Sequence, residues 1–156
     1  MAVARFLRKQ LNHTKHFAAR FGATYFITVC TEPRGMNQLC HEKTMRVLFK
    51  TARIYNEQQR WYLKSFLLMP DHAHALFNVS GDVFLSGLIR DYKRATARIS
   101  GVRWQRNFFD HRLRDNESAA QKYDYIRQNP VRAGLIGQEN DWPYILTAAE
   151  LDPWQG

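Results

Sequence analysis

The sequence predicts one α+β domain, an antiparallel sheet of the split βαβ type with helices packed on it. Stretches rich in β-branched and aromatic residues alternate with stretches of helical periodicity, in the order strand, helix, strand, strand, helix, strand. The chain has 156 residues, enough for a single hydrophobic core. Its composition, 45% hydrophobic and 24% charged, is that of a globular chain and not a disordered one.

Each element has its own signal. Thr24 to Thr31 is rich in β-branched and aromatic residues and reads as a strand, broken by Glu32 to Gly35. From Glu42 to Gln59, Met45, Leu48, Phe49, Ala52 and Tyr55 recur at helical spacing. Tyr62 to Met69 is a second strand, Pro70-Asp71 a tight turn and His72 to Val79 a third strand, so these two should pair as an antiparallel hairpin. Phe84 to Ile99 is a second helix with Leu85, Leu88, Ile89, Tyr92, Ala95 and Ile99 on its inner face, ended by Gly101. Asn107 to Leu113 fits a short fourth strand. Asn116 fits the N-cap of a third helix, with Glu117 in its first turn, and Pro130 stops that helix by Asn129. These elements divide the chain into a basic arm (1–23), a folded domain (24–146) and a C-terminal tail (147–156), with turn signals at Gly134, Gly137, Pro143 and Pro153 after the third helix.

The net charge of +9 favours a polyanionic partner, nucleic acid before an acidic membrane surface. Cys30 and Cys40 form no zinc spacing and suit a reducing cytoplasm as packing residues. No apolar run approaches the roughly 20 residues that span a bilayer. The N-terminal arm lacks acids and has no apolar core segment, which makes it a poor secretory signal and a candidate for lying on a phosphate backbone.

Two features point to chemistry. In MPDHAHALF, His72 and His74 occupy alternate positions of a predicted strand and so share one face, while Ala73, Ala75, Phe77 and Val79 take the other. This pair is either an idle feature of a sheet surface or a two-pronged metal clamp. On the third helix, Ala119, Tyr123 and Ile126 form an apolar stripe, and Ser118, Lys122, Tyr125 and Asn129 form a separate polar one. Tyr123 is therefore expected in the core and Tyr125 on the polar side. A tyrosine hydroxyl can attack phosphorus and form a covalent intermediate, but only about one part in a thousand is ionised at pH 7, so it needs a nearby cation. Lys122, one turn away, is one candidate cation, and a metal on His72 and His74, with the Asn129 carbonyl oxygen as third ligand, is another.

Several blocks together resemble one family. Leu-Met-Pro-Asp-His-Ala-His, ending at His74, resembles the HUH motif of single-tyrosine transposases, in which U is a hydrophobic residue. LSGLIRDYKRATAR, WQRNFFDHRLRD, YDYIRQNPVRAGLI and DWPY follow in the order found in the REP-associated tyrosine transposase branch, so that the resemblance runs from about Thr24 to Tyr144. It implies a ferredoxin-like antiparallel sheet with the HUH motif on a central strand. His72 and His74 match the metal-binding histidines, Asn129 the polar third ligand and Tyr125 the nucleophile. The implied enzyme cuts single-stranded DNA beside a hairpin with magnesium or manganese. It keeps the 5′ phosphate as a phosphotyrosine, releases a 3′ hydroxyl and rejoins DNA when a 3′ hydroxyl attacks. The implied setting is the cytoplasm, at the nucleoid, with the oligomeric state open between monomer and homodimer. Alanine at the U position is smaller than the family's usual side chain.

For the DNA path, Arg90, Arg94 and Arg98 recur at i+4 with Lys93 beside them, and Arg103, Trp104 and Arg106 follow in the next loop, which suits phosphate contacts with base stacking. Arg132 is a further phosphate candidate, and the roles of His111 and Arg114 are left open. Two other functions compete. A non-catalytic module that binds single strands would need aromatics exposed on the sheet. A zinc hydrolase would need another histidine or carboxylate ligand, for which Asp71 is the nearest carboxylate.

Overall fold

The computed structural model describes residues 23–114 and 117–151. Strand β1 (Ala23–Cys30) is followed by helix α1 (Glu42–Glu57), the hairpin of β2 (Tyr62–Leu68) and β3 (His72–Val79), helix α2 (Leu85–Ser100), strand β4 (Phe109–Arg112) and helix α3 (Ala119–Arg127). A one-turn helix α4 (Asn129–Arg132), strand β5 (Ile145–Thr147) and a one-turn helix α5 (Ala148–Leu151) complete it. The sheet order is β4-β1-β3-β2-β5 with every pairing antiparallel, so the expected ferredoxin-like core carries a fifth strand beside β2. Most of the N-terminal arm, residues 1–22, lies outside the described residues, and Ala23 already belongs to β1. At the other end the sheet runs one residue past the expected boundary at 146, and Ala148–Leu151 of the expected tail is helical.

The sheet carries a core on each face, with the edge strand β4 left largely exposed. On one side Tyr25, Ile27, Val29, Ala73, Ala75 and Phe77 meet Leu48, Phe49 and Ala52 of α1 and Leu85, Leu88, Ile89 and Tyr92 of α2. The polar ends of its large aromatics are bonded: Tyr92 Oη donates to Leu48 O (2.8 Å) and Trp61 Nε1 to Ala52 O (3.1 Å). On the other side a smaller core of Leu67, Met69, Leu76 and Ile126, with Phe26, Ala119 and Tyr123 packed at its margin, joins α3 to the sheet. The helix thus turns the stripe that its periodicity predicts toward the sheet, with Ile126 buried and Ala119 and Tyr123 half-buried beside it.

Two element details depart from expectation. Ile99 is not on the inner face of α2 but 68% exposed, because Thr96 takes the inward position after Tyr92. The Thr96 hydroxyl donates to Tyr92 O (2.8 Å) and accepts from the Trp104 indole (3.0 Å), so the slot is filled by a satisfied polar group. The N-cap of α3 is Ser118 and not Asn116, which lies outside the described residues: Ser118 has extended backbone and its Oγ accepts from the Gln121 amide (3.2 Å). The helix stops at Arg127, and Asn129 and Pro130 open α4, where a proline's missing N–H goes unneeded.

Ile126 is fully buried and is the residue of α3 set deepest against the sheet. Ile126→Ala is expected to lower unfolding stability by about 2–5 kcal/mol, the usual cost of a core truncation, read as a lower urea midpoint.

Candidate active site

The histidine pair sits on β3, the middle strand of five. Ala73 of the motif is buried in the larger core, so the U position faces α1 and α2 and the histidines face α3. Antiparallel register with β1 sets Cys30 opposite His72, Thr28 opposite His74 and Phe26 opposite Leu76. The His72 and His74 rings lie 4.9 Å apart, edge to face.

Both rings are held at the same nitrogen. His72 Nδ1 donates to the Asp71 carboxylate (2.8 Å), and His74 Nδ1 bonds Thr28 Oγ1 (2.9 Å). Each Nε2 is left clear of these bonds, and a neighbouring group at Nδ1 fixes tautomer and ring angle in the way found in metal-binding histidines. Burial, then the charges of His72 and Arg132, lowers His74 to about 3, so it is neutral at pH 7 as a metal ligand must be. Asp71 is itself fixed. Burial would raise its carboxyl, but hydrogen bonds from Arg34 Nε (2.9 Å), His72 and the Gly35 amide (2.9 Å) outweigh that and hold it well below the usual carboxylate range. Engaged in this way, Asp71 serves as the outer partner of His72. Among the described residues no third His, Cys, Asp or Glu completes a metal-holding group with the pair, which leaves the zinc-hydrolase reading without its ligand set.

Helix α3 packs on this face and brings Lys122 and Tyr125 of its polar stripe to Phe26, the neighbour of His74. Tyr125 is 49% exposed; its ring meets the Phe26 ring edge to face at 6.2 Å, and Phe26 stacks on His74 at 5.4 Å. Lys122 Nζ lies 5.4 Å from the Tyr125 ring centre and 5.0 Å from that of Phe26. The Arg132 guanidinium covers Tyr125 at 4.2 Å and donates to its carbonyl (2.8 Å). Two cations thus flank the phenol. Asn129 donates through Nδ2 to the carbonyls of Ile126 (3.3 Å) and Tyr125 (3.5 Å), so it caps α3 and keeps Oδ1 for another partner.

The other proposed DNA contacts are placed elsewhere. Helix α2 packs on the opposite face of the sheet, so the exposed Arg90, Arg94 and Arg98 lie away from Tyr125. Lys93 is drawn into structure: burial lowers its pKa, and its Nζ donates to Gln105 O (3.0 Å) and Arg106 O (2.7 Å), fixing the loop before β4. Trp104 is half-buried: its indole packs against the larger core and donates to Thr96, with a backbone bridge to Thr31. Arg103 and Arg106 are exposed. His111 bonds the Glu117 carboxylate (2.9 Å), which also accepts from the Arg114 amide (2.9 Å), and this knits β4 to the start of α3. Sequence reasoning missed Phe26 and Thr28. Their alternation in β1 was visible, but their registry with the histidines was not.

An antiparallel sheet with paired histidines on its middle strand, packed on that face by a helix whose tyrosine is flanked by two cations, fits the class of single-tyrosine transposase domains. The family model for IS200-like transposases matches residues 19–129, and the chain belongs to that family. It is 28% identical over 127 residues to a REP-associated tyrosine transposase of Escherichia coli K12, covering 79% of this chain and 75% of that protein. A solved structure of a REP-associated tyrosine transposase bound to a REP hairpin superposes with a TM-score of 0.70 at 26% identity, covering 80% of this chain and 76% of that one. Among the described residues no helix is long and apolar enough to cross a membrane.

The lowered His74 value carries a sign for stability. The unfolded chain binds a proton that the folded chain resists, so without metal the stability should fall as pH drops from about 6.5, the ordinary histidine value, toward about 3. The contribution is at most about 1.4 kcal/mol per pH unit. Urea unfolding in chelator between pH 7 and 4 should show this slope, and His74→Gln should flatten it.

Proposed function

We propose that this transposase cuts and rejoins single-stranded DNA beside hairpins, with Tyr125 as nucleophile. The observation that supports the reading is the contact chain from Tyr125 through Phe26 to His74, which links the phenol's ring to the histidine strand from a different element of the fold. The relative of known structure is bound to a REP hairpin, which makes a hairpin the first substrate class to test here.

In this reading Tyr125 Oη attacks the scissile phosphorus. A bond forms between Oη and phosphorus, the bond from phosphorus to the 3′ oxygen breaks, and the phenol proton ends on that oxygen. The 5′ phosphate stays on Tyr125 as a phosphotyrosine until a 3′ hydroxyl attacks it and restores the phenol. One phosphodiester is exchanged for another, so no external energy source is required. Lys122 and Arg132 flank the phenol and would meet the phosphate, while Phe26 and the backbone bond from Arg132 hold the ring in place. His72 and His74 through Nε2, with Asn129 Oδ1, are the residues that would hold a divalent cation, Mg²⁺ or Mn²⁺ in this reading. Such an ion supplies Lewis-acid polarisation of the phosphate oxygen. Arg103, Arg106 and the more distant stripe of Arg90, Arg94 and Arg98 would meet DNA beyond the cut. A transposase of this kind would work in the cytoplasm, at the nucleoid, as a monomer or homodimer.

Incubation with manganese and hairpin-bearing single strands from the gene's own flanks, labelled 3′ of the cut, should give an adduct that survives denaturation. Tyr125→Phe, His72→Ala and added chelator should each abolish it. Binding without any adduct across such a panel would instead favour a non-catalytic single-strand-binding module. Asp71→Asn should keep the fold but weaken Mn²⁺ affinity by about 10–100-fold, measured by titration calorimetry, because the neutral amide is a weaker orienting acceptor for His72 than the carboxylate.

A further inference from the structure

The cutting reading uses one half of the histidine face and leaves the half toward β4 without a role. Strand β4 sets two side chains there, His111 opposite Phe26 and Phe109 opposite Thr28. His111 is accounted for by Glu117. Phe109 is not: it is 72% exposed, while its neighbour Phe108 packs against the core with Lys93 Nζ 5.9 Å from its ring. A single exposed apolar side chain is ordinary on a protein surface. This one has a particular place. Across the sheet it stands in one row with Thr28 and His74, and the Thr28 hydroxyl in that row holds His74. Neighbouring strands are about 4.8 Å apart, so Phe109 stands two strands, about 10 Å, from the histidine.

We propose that Phe109 is a stacking platform for the base of a nucleotide flanking the scissile phosphate. The inference rests on the DNA-cutting reading above and adds to it a base-binding subsite. The chemistry fits a single strand. An unpaired base offers an apolar π-face that any exposed aromatic ring can cover, and adjacent cations take the backbone. Those cations are at hand: exposed Arg103 and Arg106 lie in the loop leading into β4, which Lys93 holds in place. The acid beside Phe109, Asp110, pairs with Ile27 and so sits at a register position of the opposite face. Stacking of this kind tolerates sequence, so the subsite would position the strand without choosing its bases.

The test is a double-substitution cycle on binding, read by fluorescence anisotropy. Hairpin-bearing oligonucleotides from the gene's flanks carry a single abasic position, moved along both sides of the cut, and wild type is compared with Phe109→Ala and Phe109→Tyr. Phe109→Ala should weaken binding of the intact strand roughly 5- to 100-fold. One abasic position should weaken wild type similarly and cost Phe109→Ala nothing further, and Phe109→Tyr should behave as wild type. Equal abasic penalties in wild type and Phe109→Ala at every position would overturn the inference, as would a Phe109→Ala variant that changes oligomeric state in sedimentation and leaves DNA affinity alone. Adduct formation is followed in parallel. Adducts without coupling at Phe109 remove the subsite and leave the cutting reading standing, and coupling without adducts does the reverse.

Discussion

The side-chain alternation of β3 is the constraint on which the rest of the site depends. Ala73, Ala75, Phe77 and Val79 fill the core beneath α1 and α2, and this leaves His72, His74 and Leu76 on the face beneath α3. A slip of one residue would bury the histidines among Trp61, Tyr92 and Ile89 and expose Phe77. The small side chain of Ala73 at the middle of the histidine motif is accommodated within that packed core and does not disturb the pair above it. Register therefore serves stability and function together, since the apolar residues that lock it also aim the imidazoles.

Around this strand the loops are tied to the turn that precedes it. The backbone of Pro70 accepts from the amides of Gln38 (2.9 Å) and Leu39 (3.2 Å), and Asp71 O accepts from the Thr31 amide (2.9 Å) and hydroxyl (2.9 Å). The Asp71 side chain at the same turn reaches Arg34, Gly35 and His72. A residue that reads as a turn former thus also joins the β1–α1 loop to the first histidine. Two bonded Nδ1 atoms give the pair a fixed geometry before any ligand arrives, and preorganisation of this kind is what electrostatic catalysis on a phosphate requires.

Charge on this protein is divided between the two sides of the sheet. Lys122 and Arg132 attend the tyrosine, whereas Arg90, Arg94 and Arg98 lie on the helix layer behind. A DNA strand meeting both would have to pass around the β4 edge, where Arg103 and Arg106 are exposed. In the proposed reading the outlying cations would retain a folded DNA segment, and the two at the tyrosine would meet the reacting phosphate.

Local periodicity alone determined much of this. Period two placed His72 with His74 and against Ala73, and period 3.6 sent Tyr123 and Ile126 inward and Tyr125 outward with Lys122, because each pattern repeats within a few residues. The element order was legible for the same reason, and the family's blocks named the tyrosine and the histidines. Only the tertiary structure decided that Thr28 and Phe26 support His74, that Trp104 packs half-buried against the core, that Asp71 orients His72 and that the α2 arginines face away from the tyrosine. Those facts depend on which strand pairs with which and on the face where each helix docks. Burial and hydrogen bonding between residues tens of positions apart decide both, and no local spacing encodes them.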